Sequence, residues 1–214
     1  FAAVNHSFAT IATGGFSSMN ASIAAYNSWA IDILVILFMF LGGVNFALFY
    51  RCLRGQYRAV LRDTELHWYL GMLIVATVVV GAVLMYSRQP IVTVAGVETP
   101  PTVAESARHA AFVVTSMQTT TGFLNADYER WPVLAKGVIL FLAFVGGCGG
   151  STSSGVKVIR VVIAFKSFLN EVERDYRPAV IRPLKIGNSV IDLPVRTAAI
   201  AVILSAIFLI GVGT

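Results

Sequence analysis

Long hydrophobic runs without charged residues divide the chain into segments of membrane-spanning length. A bilayer core of about 30 Å requires roughly 20 apolar residues in a helix. Four runs of about this length contain no Asp, Glu, Lys or Arg: residues 33–50, 68–87, 137–156 and 197–214. We therefore predict an all-α integral membrane protein that crosses the bilayer several times.

The composition agrees with this pattern. Hydrophobic residues make up 57% of the 214 residues and charged residues 13%, against about 25% charged residues in ordinary soluble domains. The mean hydropathy is +0.76. These values exclude a typical soluble enzyme or binding module.

The basic residues are confined to two parts of the chain, which gives a membrane orientation. They lie after the first run and between the third and fourth runs: Arg51, Arg54, Arg58, Arg62, Lys157, Arg160, Lys166, Arg174, Arg177, Arg182, Lys185 and Arg196. Short basic loops stay in the cytoplasm, so both parts are predicted to be cytoplasmic and residues 88–136 external. The net charge of +5 thus indicates orientation and contact with a protein partner or anionic lipid, and no nucleic acid is expected as a partner.

A weak internal repeat relates the two halves of the chain at a spacing of about 105 residues. Thr13 matches Thr120, Gly15 matches Gly122, and the following Phe16 and Phe123 also match; a Trp and a hydrophobic run follow in both copies. Each copy predicts a short helix, a Thr-Gly loop, a polar return and a hydrophobic helix. Both copies run in the same direction through the membrane.

The short helices expected at residues 2–11 and 104–117 cannot cross a bilayer at about 1.5 Å per residue. They are therefore predicted to be re-entrant. Non-helical backbone at membrane depth is tolerated where it is buried in protein or lines a water-filled path. The loops that follow these helices are thus predicted to line a pore.

The two Thr-Gly loops have a composition suited to binding a dehydrated cation. We define the first Thr-Gly loop as residues 12–16 and the second as residues 119–123. Backbone carbonyls aimed at one axis can replace the hydration shell of an ion, and glycine allows the left-handed dihedrals that such aiming needs. The candidate ligands are Ala12, Thr13, Gly14, Gly15, Thr119, Thr120, Thr121 and Gly122. The alternative is an ordinary helix end with a glycine C-cap, and in either case the Phe after each loop is expected to brace it by packing.

A glycine- and serine-rich segment interrupts the third hydrophobic run. From Trp131 to Arg160 a straight helix would be about 45 Å long, which is more than a bilayer core requires. The interruption is expected at the Gly-Ser loop, residues 146–155, which comprises Gly146, Gly147, Cys148, Gly149, Gly150, Ser151, Thr152, Ser153, Ser154 and Gly155. Such a composition disfavours helix. At the pore below the carbonyl sites, this loop would be a movable obstruction.

Two catalytic interpretations of the same segment are open but weaker. Residues 150–157 imitate a phosphate-binding loop, yet Val156 separates Gly155 from Lys157 and no strand precedes the loop. A serine of the loop with Lys157 would form a hydrolytic dyad, although Lys157 is expected to mark the cytoplasmic face. No residue shows catalytic organisation, so an enzyme is not expected.

Isolated polar residues elsewhere are given structural roles. His6 and His109 lie near the starts of the short helices with no acid recognised at helical spacing, which favours hydrogen-bonded packing over a proton relay. Asp32 and Lys136 are expected to be paired or snorkelling at the outer rim. Cys52 and Cys148 are expected to be free thiols.

Three stretches of the chain resemble the TrkH branch of the Trk/Ktr/HKT potassium transporters. They are residues 6–17, 119–123 and 146–160, which resemble the second filter, the third filter and the interrupted inner helix of that family. The resemblance implies four repeated units around a potassium-conducting pore, with the eight loop residues above as filter positions and the Gly-Ser loop as gate. It also implies a homodimer in the bacterial inner membrane, gated by a cytosolic nucleotide-binding TrkA-like subunit.

On this basis the chain divides into five segments, with neither terminus expected to be a natural end. They are the end of repeat two (1–50), a cytoplasmic loop (51–66), repeat three (67–170), a cytoplasmic linker (171–194) and the outer helix of repeat four (195–214). We predict selective K⁺ uptake, with K⁺ as the transported ion and no other cofactor. The alternatives are an ion-coupled secondary transporter, which would need inverted repeats and a partly charged site, and a Na⁺-permeable member of the same superfamily.

Overall fold

A computed structural model describes residues 1–176, 185–186, 189–190 and 193–212. Nine α-helices lie in these ranges. Their bounds are α1 Ala2–Ile11, α2 Trp29–Gly42, α3 Phe46–Leu53, α4 Tyr57–Leu61, α5 Thr64–Ser87, α6 Val103–Gln118, α7 Val133–Val145, α8 Val158–Tyr176 and α9 Leu193–Val212. Half of the predicted linker, residues 171–194, lies outside the described residues.

Short 3₁₀ helices and hairpins complete the structure. The 3₁₀ helices are Ser22–Tyr26 and Tyr128–Arg130. Two antiparallel pairs, β1 Ile91–Val92 with β2 Glu98–Thr99 and β3 Lys185–Ile186 with β4 Ser189–Val190, were not predicted. The other regular elements of the described residues are α-helices, as the hydrophobic pattern indicates.

The helix α6 lies at the centre of the packing. It contacts α5, α7 and α2, and most of its side chains are buried. Its apolar neighbours on α5 and α7 are Ala76, Val80, Leu84, Ala135, Ile139 and Leu142. Thr102 caps the start of this helix by accepting a hydrogen bond from the N–H of Glu105 (3.3 Å), and Gln118 at its end donates to the carbonyl of Tyr69 (3.3 Å).

The first hydrophobic run, residues 33–50, is not one straight helix, and the prediction of a simple span there was wrong. The run is divided between α2 and α3, which meet at a bend of 95°. A Cβ on Gly43 would overlap the Tyr69 hydroxyl, so only glycine allows this close approach. Asn45 then caps α3 by accepting a hydrogen bond from the N–H of Ala47 (2.9 Å).

Among the described residues, α5 is the one helix that is long and apolar enough by itself to cross a membrane. The bent pair α2 and α3 passes the same test when taken together. The helix α7 ends at Val145 and α8 begins at Val158, so the third run is interrupted at the Gly-Ser loop. The helical content therefore agrees with the predicted class, while most of the spans are broken or short.

Candidate functional site

The two short helices α1 and α6 end in the same hydrogen-bonding arrangement, a Schellman motif. In α1 the N–H of Thr13 donates to the carbonyl of Thr10 (3.2 Å), and the N–H of Gly14 donates to the carbonyl of Ala9 (2.8 Å). The corresponding bonds of α6 join Thr120 to Met117 (3.1 Å) and Thr121 to Ser116 (2.9 Å). The repeat recognised in the sequence is thus also a repeat of backbone geometry.

Both Thr-Gly loops alternate between positive and negative φ. The φ angles are 48° at Thr13, 66° at Gly15, 55° at Thr120 and 82° at Gly122, and the residues between them have negative φ. Left-handed dihedrals of this kind are those expected from the sequence for loops that aim carbonyls at an ion. A β-branched residue with positive φ is strained, and such strain is typically found at functional positions.

The two Thr-Gly loops lie side by side. A Cβ added to Gly15 would overlap the carbonyl oxygen of Thr121, so a side chain cannot be placed between the loops at this point. Beyond the loops, the N–H of Ala24 donates to the carbonyl of Leu124 (3.3 Å). Carbonyls from both copies are therefore brought to one region at the C-terminal ends of α1 and α6, where the helix dipoles favour a cation.

Side chains behind the second loop hold its backbone. The hydroxyl of Thr119 donates to the carbonyl of Thr115 (2.8 Å) and lies 2.8 Å from the hydroxyl of Thr121. The Ser116 hydroxyl donates to the carbonyl of Phe123 (2.7 Å). These buried hydroxyls hold the backbone of the second loop in place.

The two phenylalanines after the loops differ. Phe123 is completely buried, as expected of a bracing residue, whereas Phe16 is 75% exposed. The ring of Phe16 lies beside Gly14 of its own loop, where a Cβ would be 3.2 Å from its Cδ2, and its bracing role stays a prediction. The first copy has fewer neighbours in this chain, because α1 packs mainly against α2 while α6 is surrounded by three helices.

A buried ion pair joins the first copy to the helix of the second loop. Arg108 on α6 donates through Nε to Oδ2 of Asp32 on α2 at 2.7 Å, and both side chains are almost completely buried. The amide of Asn125 donates to the same carboxylate oxygen (3.0 Å). The guanidinium also lies 5.1 Å from the ring centroid of Trp29. Asp32 is thus paired, as expected, but inside the protein rather than at its rim.

The histidines have structural contacts. His6 lies 2.7 Å from the carbonyl of Ala2 through Nδ1 and 2.9 Å from the hydroxyl of Ser17 through Nε2. His109 has its Nε2 3.4 Å from Oε2 of Glu105, one helical turn away. The expectation that neither histidine has an acid at helical spacing was wrong for His109, because Glu105 precedes it by four residues.

The Gly-Ser loop closes on itself, so its two ends lie together. The N–H of Val156 donates to the carbonyl of Phe144 (3.0 Å), and the N–H of Val158 donates to that of Gly147 (3.0 Å). Gly146 and Gly155 have φ of 77° and 89°, and each leaves no room for a Cβ. The loop is therefore a compact excursion between α7 and α8.

The Gly-Ser loop is docked against the end of α1, the end of α2 and the second Thr-Gly loop. The hydroxyl of Thr152 donates to the carbonyl of Ile11, the last residue of α1, and to that of Gly42, both at 3.0 Å. The N–H of Ser154 donates to the hydroxyl of Thr120 at 2.7 Å. The loop thus lies directly next to the residues proposed to bind the ion.

Further bonds hold the Gly-Ser loop at the bend between α2 and α3. The N–H of Cys148 donates to the carbonyl of Gly43 (3.0 Å), and the carbonyl of Gly150 accepts from the N–H of Phe46 (3.0 Å). Cys148 is buried and free, while Cys52 is free and half-buried, as predicted. The bend between α2 and α3 therefore forms part of the surface against which the Gly-Ser loop packs.

The groups needed for the catalytic alternatives take part in this packing. Nζ of Lys157 donates to the carbonyl of Ser153 (2.5 Å), and the hydroxyl of Ser151 donates to that of Cys148 (2.6 Å). A helix, α7, precedes the loop where a phosphate-binding loop would follow a strand. The side chains that a nucleotide or hydrolytic site would use are therefore engaged in holding the loop together.

The residues that sequence reasoning missed come from distant parts of the chain. Arg108 and Asn125 are joined to Asp32 across 76 and 93 positions, and Glu65 accepts a hydrogen bond from Gly149 across 84 positions. No local pattern marks such pairs. The signal for Arg108 was a lone cation within a helix predicted to lie at membrane depth.

Two short helices, α1 and α6, thus end in adjacent Thr-Gly loops, and the Gly-Ser loop packs against the end of α1 and against Thr120. The family model described as TrkH, cation transport protein, matches residues 1–211. The chain therefore belongs to the TrkH family.

Similar proteins agree with this assignment. The chain is 35% identical over 192 residues to the Trk system potassium uptake protein TrkH of Escherichia coli K12, which covers 88% of this chain and 37% of the relative. It is 29% identical over 196 residues to TrkG of the same organism, covering 89% of this chain and 37% of the relative. The chain thus spans 37% of the length of these curated relatives.

A solved structure shows the same fold. The crystal structure of the potassium transporter TrkH from Vibrio parahaemolyticus matches with a TM-score of 0.83 and 27% identity, covering 94% of this chain and 41% of that chain. The names of the relatives place them in a "Trk system", which indicates a system of more than one component.

Proposed function

We propose that the protein containing this chain takes up K⁺ through a selective, channel-like pore. The observation that carries the proposal is the repeated Schellman end with left-handed Thr and Gly, which gives two adjacent rows of carbonyls at one place. Residues 12–15 and 119–122 would be two of four filter segments around the pore. The K⁺ ion is the substrate, and the protein supplies oxygen ligands in place of water.

The Gly-Ser loop would be the gate of this pore. Its hydrogen bonds to Ile11 and Thr120 support a position directly beneath the filter segments. Its small residues and its two left-handed glycines at the ends allow it to move without moving α7. Selectivity and gating would thus belong to neighbouring but separate loops.

The assembly proposed for the complete protein follows the family. It is a homodimer in the bacterial inner membrane, surrounded by lipid and regulated by a cytosolic nucleotide-binding TrkA-like subunit. The basic residues of α4 and α8 face the predicted cytoplasmic side, where such a subunit or anionic lipid would bind. The parallel orientation of the two copies favours a channel-like pore over a secondary transporter with inverted repeats.

The test of the proposed function is the K⁺/Na⁺ permeability ratio of the full-length protein in liposomes. Gly122→Ser places a side chain where φ is 82° and where the space around the Cβ is open. We expect the ratio to fall toward one, because the loop must change its dihedrals and misalign its carbonyls. Gly15→Ser should have a larger effect, since its side chain would also collide with Thr121.

The matched control is Gly96→Ser in the turn between β1 and β2. Gly96 also has a φ of 82° and open space around its Cβ, so the substitution introduces the same backbone strain away from the loops. We expect an unchanged permeability ratio in this variant. An unchanged ratio in folded Gly122→Ser would show that the second Thr-Gly loop is not part of the filter. If the wild type itself passes Na⁺ more readily than K⁺, and Gly122→Ser alters that ratio, the Na⁺-permeable alternative is favoured.

A further inference from the structure

A carboxylate at the start of α5 reaches the Gly-Ser loop. Glu65 lies in the first turn of α5, and its Oε1 accepts a hydrogen bond from the backbone N–H of Gly149 at 2.6 Å. The side chain is half-buried. A hydrogen bond from an N–H to a charged acceptor is about twice as strong as one between neutral groups.

The same carboxylate also lies at the start of α8. A Cβ built on Gly149 would lie 3.4 Å from Oε1 of Glu65 and 3.7 Å from Cγ2 of Ile159, the second residue of α8. The first N–H groups of a helix lack partners within the helix and attract negative charge. One side chain of α5 therefore binds the Gly-Ser loop and lies beside the start of the helix that follows it.

An acidic residue in the first turn of a helix also stabilises that helix by itself. In α5 this requirement is already met by Asp63, whose Oδ1 caps the helix by accepting from the N–H of Leu66 (2.9 Å). Glu65, in contrast, makes its hydrogen bond with another element of the chain. Asp63 therefore stabilises the start of its own helix, whereas Glu65 binds the Gly-Ser loop.

We propose that Glu65 is a positioning residue that anchors the Gly-Ser loop in its docked position, so that the loop and the start of α8 leave α5 together. The inference rests on the proposed function, because it assigns the anchor of the proposed gate. The loop has three other sets of bonds, to α1, to the bend between α2 and α3, and to Thr120. Glu65 differs from these because it provides the charged acceptor.

The natural thiol of Cys148 provides a direct readout of loop position. It is completely buried when the loop is docked and lies next to Gly149 in the chain. In a version of the full-length protein that keeps Cys148 as its sole thiol, the rate of reaction with a small thiol reagent measures how often the loop leaves its seat. The variants are compared at equal thiolate fraction, which the pH profile of the rate gives. This readout does not depend on ion conduction.

The experiment compares Glu65→Ala, Glu65→Gln and Asp63→Asn in liposomes. Loss of the charged acceptor should increase the rate of Cys148 modification about tenfold in Glu65→Ala. Glu65→Gln retains a neutral acceptor oxygen, so its increase should be smaller. Asp63→Asn removes a negative charge from the same helix end but retains a capping oxygen, and its rate should equal that of the wild type.

The outcomes test the role of Glu65 as an anchor separately from the role of the Gly-Ser loop as a gate. Faster modification in the order Glu65→Ala, Glu65→Gln, wild type supports the anchor, and a parallel rise in K⁺ flux supports the gate as well. Faster modification without any change in flux supports the anchor and contradicts the gating role of the loop. An unchanged modification rate in Glu65→Ala overturns the inference, and if that variant does not fold, an unchanged rate in Glu65→Gln does so.

Discussion

Single residues of the Thr-Gly loops adopt a conformation that their side chains disfavour. Thr13 and Thr120 both have left-handed backbone at the position where a Schellman motif usually has glycine. Each costs about 1–3 kcal/mol, a strain that persists where surrounding bonds impose it. The left-handed backbone at Gly15 and Gly122 could be predicted from the sequence. The left-handed backbone at Thr13 and Thr120 could not, because a β-branched residue disfavours that conformation.

The ion pair of Arg108 and Asp32 is predicted to be essential for the stability of the packing between α2 and α6. Arg108→Ala leaves the Asp32 carboxylate buried with Asn125 as its remaining hydrogen-bond partner. Removing one member of a buried ion pair costs about 3–5 kcal/mol. We expect a large fall in the apparent melting temperature of the detergent-solubilised protein.

The control for this variant is Arg130→Ala. Arg130 pairs with Asp127 at 3.0 Å, but its side chain is 67% exposed, and pairs at such positions contribute about 0–1 kcal/mol. The melting temperature should therefore change little. Equal melting temperatures for the two variants would show that the Arg108 pair does not hold α2 against α6.

The short helices and the interruption of the third run were well anticipated at the level of elements. The predicted helix at 2–11 coincides with α1, and the one at 104–117 differs from α6 by one residue at each end. Composition was sufficient here, because glycine and serine disfavour helix wherever they are concentrated. The bend in residues 33–50 was missed, because a pair of glycines in an apolar run also occurs in straight helices.

What decides the bend is a tertiary contact. A Cβ at Gly42 would lie 3.2 Å from the carbonyl of Ile11, and one at Gly43 would overlap the Tyr69 hydroxyl. The chain thus turns where α1 and α5 approach it closely. Neither neighbour can be inferred from residues 33–50 alone.

The Gly-Ser loop is predicted to obstruct ion flow independently of the filter. Deleting residues 149–154 removes the bond of Thr152 to Ile11, the last residue of α1, and that of Ser154 to Thr120. The ends of the loop already lie together, since Gly146 and Gly155 are in contact, so the deletion can close without moving α7. We expect increased K⁺ flux into liposomes with an unchanged K⁺/Na⁺ ratio, measured per amount of folded protein.

A packing role for the glycines leads to the opposite expectation. If the loop only allowed helices to approach closely, the deletion would lower flux or prevent folding. Thr152→Val is a milder variant, because it removes the hydroxyl bonds to Ile11 and Gly42 and retains the length of the loop. Reduced or unaltered flux in both variants, with normal folding, would exclude the loop as a gate.

At the scale of the whole molecule, the two copies differ in how well they are enclosed. The helix α6 is surrounded by α5, α7 and α2, while α1 exposes Phe1, Val4, Phe8 and Ile11. The two Thr-Gly loops are nevertheless in contact at Gly15 and Thr121. This arrangement fits a proposed ring of four parallel copies in which further segments of the complete protein cover α1.

Parallel copies predict a definite membrane topology. Arg58 on α4 and Arg160 on α8 are exposed basic residues, and basic loops stay on the cytoplasmic side. Glu98 is exposed on the hairpin between α5 and α6, and one crossing of α5 separates it from Arg58. Cysteines introduced at Arg58 and Arg160 should therefore react with an impermeant thiol reagent from the cytoplasmic side, and one at Glu98 from the outside.

The labelling is done with Cys52 and Cys148 replaced by serine, so that the introduced cysteine is the reactive thiol of this part of the protein. Each variant is labelled in intact cells and again after permeabilisation, and retained K⁺ uptake confirms that it is folded. Parallel repeats require α5 to cross the membrane completely, since the loops of both copies must enter from the same face. Labelling of Arg58→Cys and Glu98→Cys from one face would contradict that crossing and, with it, a pore built from these two loops. Labelling from opposite faces would show that α5 crosses the membrane, as the parallel repeats require.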